Sequence, residues 1–141
     1  LFYCQWPGRT KKFKSIVPLY NACDVIVSAT SSEGFGLPLL EGMASGKVVL
    51  APNCTGQSDF MNEGNSIHVD YKKIDAGVKY QYWRAQSGAE TFLPIKDSLS
   101  EKMLHLYNNY NKELLRLTPG MKETSSLFTW DNSADIISNF V

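Results

Sequence analysis

Two stretches, Asp24-Val-Ile-Val-Ser28 and Lys47-Val-Val-Leu-Ala51, are continuous and β-branched rather than alternating. A strand with one wet face alternates apolar and polar residues, so unbroken runs predict strands covered on both faces. A weaker run at Ser66–Val69 and another at Leu1–Cys4 bring the set to four. Helical patterns lie between them at Ile16–Cys23, Pro38–Ser45 and Gln57–Asn62. Strands alternating with helices imply right-handed crossovers and a parallel sheet. The expected fold class is α/β, a Rossmann-like parallel sheet with flanking helices. At 141 residues, 43% of them hydrophobic and 20% charged, the chain reads as one domain. A domain of that size buries roughly 68–70% of its unfolded surface.

The period changes from Asp97 onward. Ser98 and Glu101 have capping-box spacing, and Leu99, Met103, Leu106, Tyr107 and Tyr110 follow at helical intervals. Tyr107 and Tyr110 are expected to be core or interface residues. Glu113, Leu114, Leu115 and Leu117 predict a second short helix, ended by Thr118-Pro119-Gly120. A last helix is expected from Asp131, with Ile136, Ile137 and Phe140 as the apolar face that closes the sheet. Asp70–Pro94 has no clear period and carries Tyr80, Tyr82 and Trp83. It reads as a long aromatic loop, a kind of segment that usually serves a function.

Fourteen basic and fourteen acidic residues cancel, which removes the usual electrostatic reason to expect a nucleic-acid partner. No apolar run is long enough for a transmembrane segment. Three scattered cysteines, Cys4, Cys23 and Cys54, suit a reducing compartment better than a disulfide framework. The expected location is the cytoplasm, with any peripheral membrane contact made through the parent enzyme. An apolar run already under way at Leu1, with no methionine before it, reads as a piece of a longer protein.

The chemistry concentrates between Ser28 and Ala44, where a buried strand passes into a helix. Open parallel sheets place their ligand crevice at such junctions. Pro38 suits a first helical position, where its missing N–H needs no partner. Phe35, Gly36 and Leu37, just ahead of it, have no side-chain oxygen to cap the helix. The first amides therefore stay open to water or to an anion, which the partial positive charge of a helix start favours. Gly34 and Gly36 let a backbone approach closely. Glu33 and Glu41 bracket this point, and a carboxylate accepts well from paired sugar or ribose hydroxyls. Taken alone, Glu41 could equally complement the helix dipole and Glu33 could be a solvated loop residue.

The segment resembles the carboxyl-terminal half of the group 1 (family 4) glycosyltransferases. The resemblance covers residues 17–60. It comprises Leu19-Tyr-Asn-Ala-Cys-Asp-Val25, then Glu33-Gly-Phe-Gly-Leu-Pro-Leu-Leu-Glu41, then Gly42-Met-Ala-Ser-Gly-Lys-Val-Val49. It implies retaining enzymes of the two-domain GT-B fold, with Glu33 at the donor sugar as the catalytic position and Glu41 on the nucleotide ribose. It also implies that Gly34, Phe35, Gly36 and Leu37 line the sugar and diphosphate. Thr55 and Gly56 fall in a turn that completes the donor site, although a Gly-Gly pair is frequent there. Phe128-Thr-Trp130 resembles the family's ending. The family's diphosphate-binding Arg and Lys come from earlier elements, and its acceptor-binding amino-terminal domain lies outside these residues. Arg9, Lys11, Lys12 and Lys14 are a short basic run of the sort that is usually a solvated face.

The resemblance therefore implies transfer of a hexosyl unit from a nucleoside diphosphate sugar to a hydroxyl of a glycan, lipid or other acceptor. No cofactor and no metal are expected. The chain has neither an Asp-x-Asp pair nor His-x-His or Cys-x-x-Cys spacing. His68 and His105 are read as structural, and Trp83 as a hydrophobic anchor or a platform for an acceptor sugar. The alternative function is a non-catalytic module that binds a nucleotide or sugar phosphate at the same helix start. A third reading is a domain that needs the rest of its chain to fold.

Overall fold

A computed structural model describes residues 2–6, 9–13, 15–79 and 88–140, with side chains described for 15–77 and 88–140. Tyr80, Tyr82 and Trp83 lie outside the described residues. The centre of the fold is a parallel sheet of β3 (Val25–Val27), β4 (Val48–Ala51) and β5 (Ile67–His68), in the order β3-β4-β5. β4 is the middle strand and all four of its residues are inaccessible to solvent, which accounts for its unbroken apolar run. β3 departs from expectation: it is a sheet edge, and Val27 is 44% exposed. The edge position uncovers one side of the strand.

Helix α1 (Val17–Asn21) precedes β3, and α2 (Leu37–Ala44) joins β3 to β4. Leu39, Leu40 and Met43 of α2 pack with β4, with Phe60, Met61 and Val69, and with Leu106, Leu117 and Met121 of the long helix α4 (Lys96–Leu127). The arrangement is mixed α/β, a three-stranded parallel sheet flanked by helices. Gln57–Asn62 is not an α-helix as the sequence suggested. Its first part is a 3-10 turn at Thr55–Asp59.

Two antiparallel ribbons stand apart from this sheet. β1 (Phe2–Trp6) pairs with β2 (Arg9–Phe13) and with no parallel strand, so the first strand is not part of the crossover series. The basic run at Arg9–Lys12 is thus strand, a state hidden by its lack of an apolar pattern. β6 (Tyr71–Asp75) and β7 (Glu90–Pro94) form a second hairpin, with α3 (Ala76–Lys79) leaving β6. The described residues of the segment expected to be an aromatic loop thus include a β-ribbon and a short helix. The strands are too short and too exposed to show a two-residue period. Thr91, fully buried, ties the ribbon to the loop ahead of α2: its hydroxyl donates to the Ser31 carbonyl at 3.2 Å and lies 3.0 Å from Ser32 Oγ.

Helix α4 corrects two expectations, the capping box and the stop at Thr118-Pro119-Gly120. Its start carries no side-chain cap, and Ser98 Oγ instead accepts from the Asp70 amide at 3.0 Å. The two helices expected around Tyr110 are present and run on from one another across a break in the helical backbone at Asn109 (φ −129°, ψ 20°). The helix then continues through Thr118-Pro119-Gly120 to Leu127. An interior proline removes one helical hydrogen bond, while the Thr118 hydroxyl donates to the Leu114 carbonyl at 2.6 Å. Gly120 lies against the Gly64 carbonyl, so close that a Cβ would come within 2.4 Å of it. Packing on that loop holds the helix where local signals would end it. Tyr107 is 85% exposed, and Tyr110 is half-buried, its hydroxyl donating to the Asp24 carbonyl at 3.3 Å.

Across the kink, buried Glu113 accepts from Arg116 Nε at 2.8 Å and lies 3.2 Å from His105 Nε2. Burial alone would raise its pKa, but hydrogen bonds and charge from Arg116 and His105 hold it below 4.5. A carboxyl depressed on folding contributes stability above its unfolded pKa and loses it as pH falls through the folded value. Glu113→Gln is expected to flatten the decline of the unfolding midpoint as pH drops below 4.5. An unchanged slope would remove Glu113 from the acid response.

The last helix, α5 (Trp130–Ser138), is capped by Thr129, whose Oγ1 accepts from the Asn132 amide at 3.1 Å. Its apolar face does not close the sheet. Ile136, Ile137 and Phe140 are 60%, 65% and 86% exposed. Among the described residues, no helix is long and apolar enough to cross a membrane.

Candidate functional site

The loops leaving the carboxyl ends of β3 and β4 meet, as the crevice rule for parallel sheets requires. Gly36 is the N-cap of α2, and its left-handed backbone (φ +92°) favours glycine there. A Cβ at Gly36 would also stand 3.2 Å from Gln57 Cβ. No side chain caps the helix. The Gly36 and Leu37 amides find no acceptor among the described residues, and Pro38 adds none. The start of α2 is thus left open, with its partial positive charge uncompensated.

The turn after β4 clasps the loop that carries Glu33. The Glu33 amide donates to Thr55 Oγ1 at 3.0 Å, and the Gly56 amide donates to the Glu33 carbonyl at 3.1 Å. Thr55 has φ +55°, the left-handed region, and its hydroxyl bond to Glu33 compensates a conformation that glycine would adopt more easily. Gly56 faces the Gly34 and Phe35 backbone directly. Both backbone groups of Glu33 are therefore engaged, while its half-buried carboxylate has no partner among the described residues.

Glu41 differs. It sits on α2, and its Oε2 accepts from the Tyr20 hydroxyl at 2.6 Å. It lines an open cleft of about 520 Å³ with Phe35, Leu37, Phe128, Trp130 and Asp131. Phe35, Phe60 and Phe128 form a ring cluster with centroids 5.3–6.0 Å apart. That cluster brings the Phe128-Thr-Trp130 segment against the glycine loop. Glu33 is not among the residues that line this cleft.

Three polar groups carried no role in the sequence. Gln57 is fully buried. Its Nε2 donates to the Pro52 carbonyl, while Oε1 has no partner and lies 3.6 Å from the Cβ position of Gly36. A bare buried acceptor costs on the order of 1–3 kcal/mol, so one beside the open helix start suits a hydroxyl donor. Asn53 Oδ1, at the end of β4, is likewise bare. Tyr20 is the third, hidden because its contact spans 21 positions.

The remaining candidates have partners in the protein. His68 Nε2 lies 3.1 Å from Ser66 Oγ, and burial lowers its pKa. Cys23 and Cys54 are free thiols, and burial pushes the Cys54 pKa up, away from a nucleophile. Among the described residues no three His, Cys, Asp or Glu side chains converge as metal ligands.

A family model described as "Glycosyl transferases group 1" matches residues 3–79. The chain is also 32% identical over 123 residues to an uncharacterized glycosyltransferase of Methanocaldococcus jannaschii, covering 86% of this chain and 28% of that protein. It therefore spans little more than a quarter of that relative's length.

Proposed function

The chain belongs to the group 1 glycosyltransferases, and on that premise we propose that it is the donor-binding part of a retaining hexosyltransferase of GT-B architecture. The donor would be a nucleoside diphosphate sugar and the acceptor a hydroxyl on a glycan, lipid or other molecule. The observation that carries this reading is the uncapped start of α2, set between Glu33 and Glu41.

In the reaction the bond from the anomeric carbon to the diphosphate oxygen breaks, and the acceptor oxygen bonds to the same carbon on the same face. The acceptor proton ends on the departing phosphate. The protein's work is orientation and electrostatics. The Gly36 and Leu37 amides face the departing charge, assisted by cationic groups from elsewhere in the parent enzyme. Glu33, with Gly34 and Phe35, positions the sugar and stabilises positive charge at its ring. Glu41 holds the ribose, and Thr55 and Gly56 keep the Glu33 loop in place. The donor is itself the activated reagent, so the reading calls for no cofactor. A reducing cytoplasm suits the free thiols.

Thermal unfolding of the full-length protein with UDP, GDP, ADP or CMP, and with their sugar conjugates, tests this assignment. A ligand at about 100 times its dissociation constant adds roughly 2.7 kcal/mol to the folded state. One nucleotide is expected to raise the midpoint and its sugar conjugate to be turned over. A rise without turnover would favour a binding module, and no rise with any nucleotide would overturn the donor site.

A further inference from the structure

Glu41 is not left to find its ligand unaided. Tyr20 is the only buried residue of α1, a short helix with Pro18 in its first turn. The residue is 94% covered, and its hydroxyl donates to Glu41 Oε2, on the far side of β3 in sequence. At 2.6 Å the bond has the short length of a hydroxyl donating to a carboxylate. The other oxygen, Oε1, has no partner among the described residues, and the residue lines the cleft.

A glutamate on a helix surface samples several rotamers, and ordering it on binding costs conformational entropy. A rigid donor anchored in the core removes most of that loss beforehand. It also settles which oxygen is spoken for. We infer that Tyr20 is a positioning residue that locks Glu41 with Oε1 presented to a ribose hydroxyl of the bound nucleotide. The inference rests on the assignment of Glu41 to the ribose made above. Burial, the hydrogen bond to Glu41 and the negative charge there all raise the Tyr20 pKa, so the hydroxyl remains a donor throughout the physiological range. Tyr20 touches no substrate. Its effect passes entirely through Glu41.

The alternative role is a strap that ties α1 to α2 for stability, and ligand chemistry separates the two. In the full-length protein, affinity is measured for UDP, GDP, ADP and CDP, and for the 2′,3′-dideoxy counterpart of whichever binds. Tyr20→Phe deletes one oxygen and keeps the ring. It is expected to weaken the ribonucleotide about three- to tenfold, the range of a single net hydrogen bond, and to leave the dideoxynucleotide unchanged. Glu41→Gln is expected to lose the same discrimination more fully, and adding Tyr20→Phe to it should lose nothing further. Glu41→Asp, which keeps the charge but withdraws it from Tyr20, should behave like Tyr20→Phe and serves if that variant does not fold.

If Glu41→Gln loses the preference for ribose while both Tyr20→Phe and Glu41→Asp keep it, positioning is overturned and the donor site stands. Equal weakening of both nucleotides by Tyr20→Phe would also overturn it, as a strap. If Glu41→Gln itself keeps the preference, or if no nucleotide binds the wild type, the ribose assignment fails and takes the inference with it.

Discussion

Glu33→Gln in the full-length enzyme is expected to lower kcat by on the order of 10²–10³-fold, the scale on which one preorganised electrostatic group acts. Nucleotide affinity is expected to shift by less than about threefold, since the loss falls on the transition state rather than on the bound donor. The reason lies in how the residue is held. Its backbone is pinned by Thr55 and Gly56, and its carboxylate has no partner among the described residues. Glutamine preserves shape and removes charge, so the change isolates the electrostatic contribution to a sugar ring that becomes positive. Glu41 is already bonded to Tyr20 and lines a cleft that Glu33 does not. Glu41→Gln should therefore weaken binding first. Steady-state kinetics and a binding titration on both variants decide the matter. Equal loss of turnover and affinity in both would sink the division of labour.

The parts of the molecule legible in the sequence are those where local chemistry and tertiary surroundings agree. β4 was legible because a central strand must be apolar on both faces, and α2 because Pro38 follows residues that cannot cap a helix. The clasp of Thr55 and Gly56 on Glu33 was not legible: the resemblance implies only that the two lie at the donor site, and nothing in the spacing of 22 residues announces a contact. Where packing overrides local signals, the reading failed. Pro119 and Gly120 look like a helix end, yet the contact of Gly120 with the Gly64 carbonyl keeps the helix running. Ser98 looks like half of a capping box, yet its hydroxyl is taken by Asp70. The apolar stripe of α5 promised a buried face, and the described residues place nothing against it. Tyr20 and Gln57 show a third limit. Each owes its role to one side-chain atom reaching across the fold, which no residue pattern records.

Gly56→Ala is expected to destabilise the fold more than its single methyl suggests, and the neighbouring Gly34→Ala to leave the stability of the fold almost unchanged. At Gly56 an added Cβ would lie 2.1 Å from the Gly34 carbonyl oxygen, 2.4 Å from its carbon and 2.7 Å from the Phe35 nitrogen. These are backbone atoms that cannot rotate away, so one of the two loops must move. At Gly34 the same atom meets nothing within 4 Å. Moving the loops apart stretches the bond from the Gly56 amide to the Glu33 carbonyl, and with it the bond from the Glu33 amide to Thr55. Overpacking of this kind costs about 1–3 kcal/mol. That is enough to lower an unfolding midpoint by several degrees in a domain of roughly this size. The functional effect should be larger still, because a displacement of about 1 Å at a positioning group can cost on the order of 10²-fold in rate. Unfolding midpoints of the two alanine variants, with kcat of Gly56→Ala beside them, provide the comparison. If both lose stability alike, the sensitivity belongs to flexibility of the whole loop. If only Gly56→Ala loses stability and its kcat falls with it, the close contact of the two backbones is what holds the Glu33 loop in place.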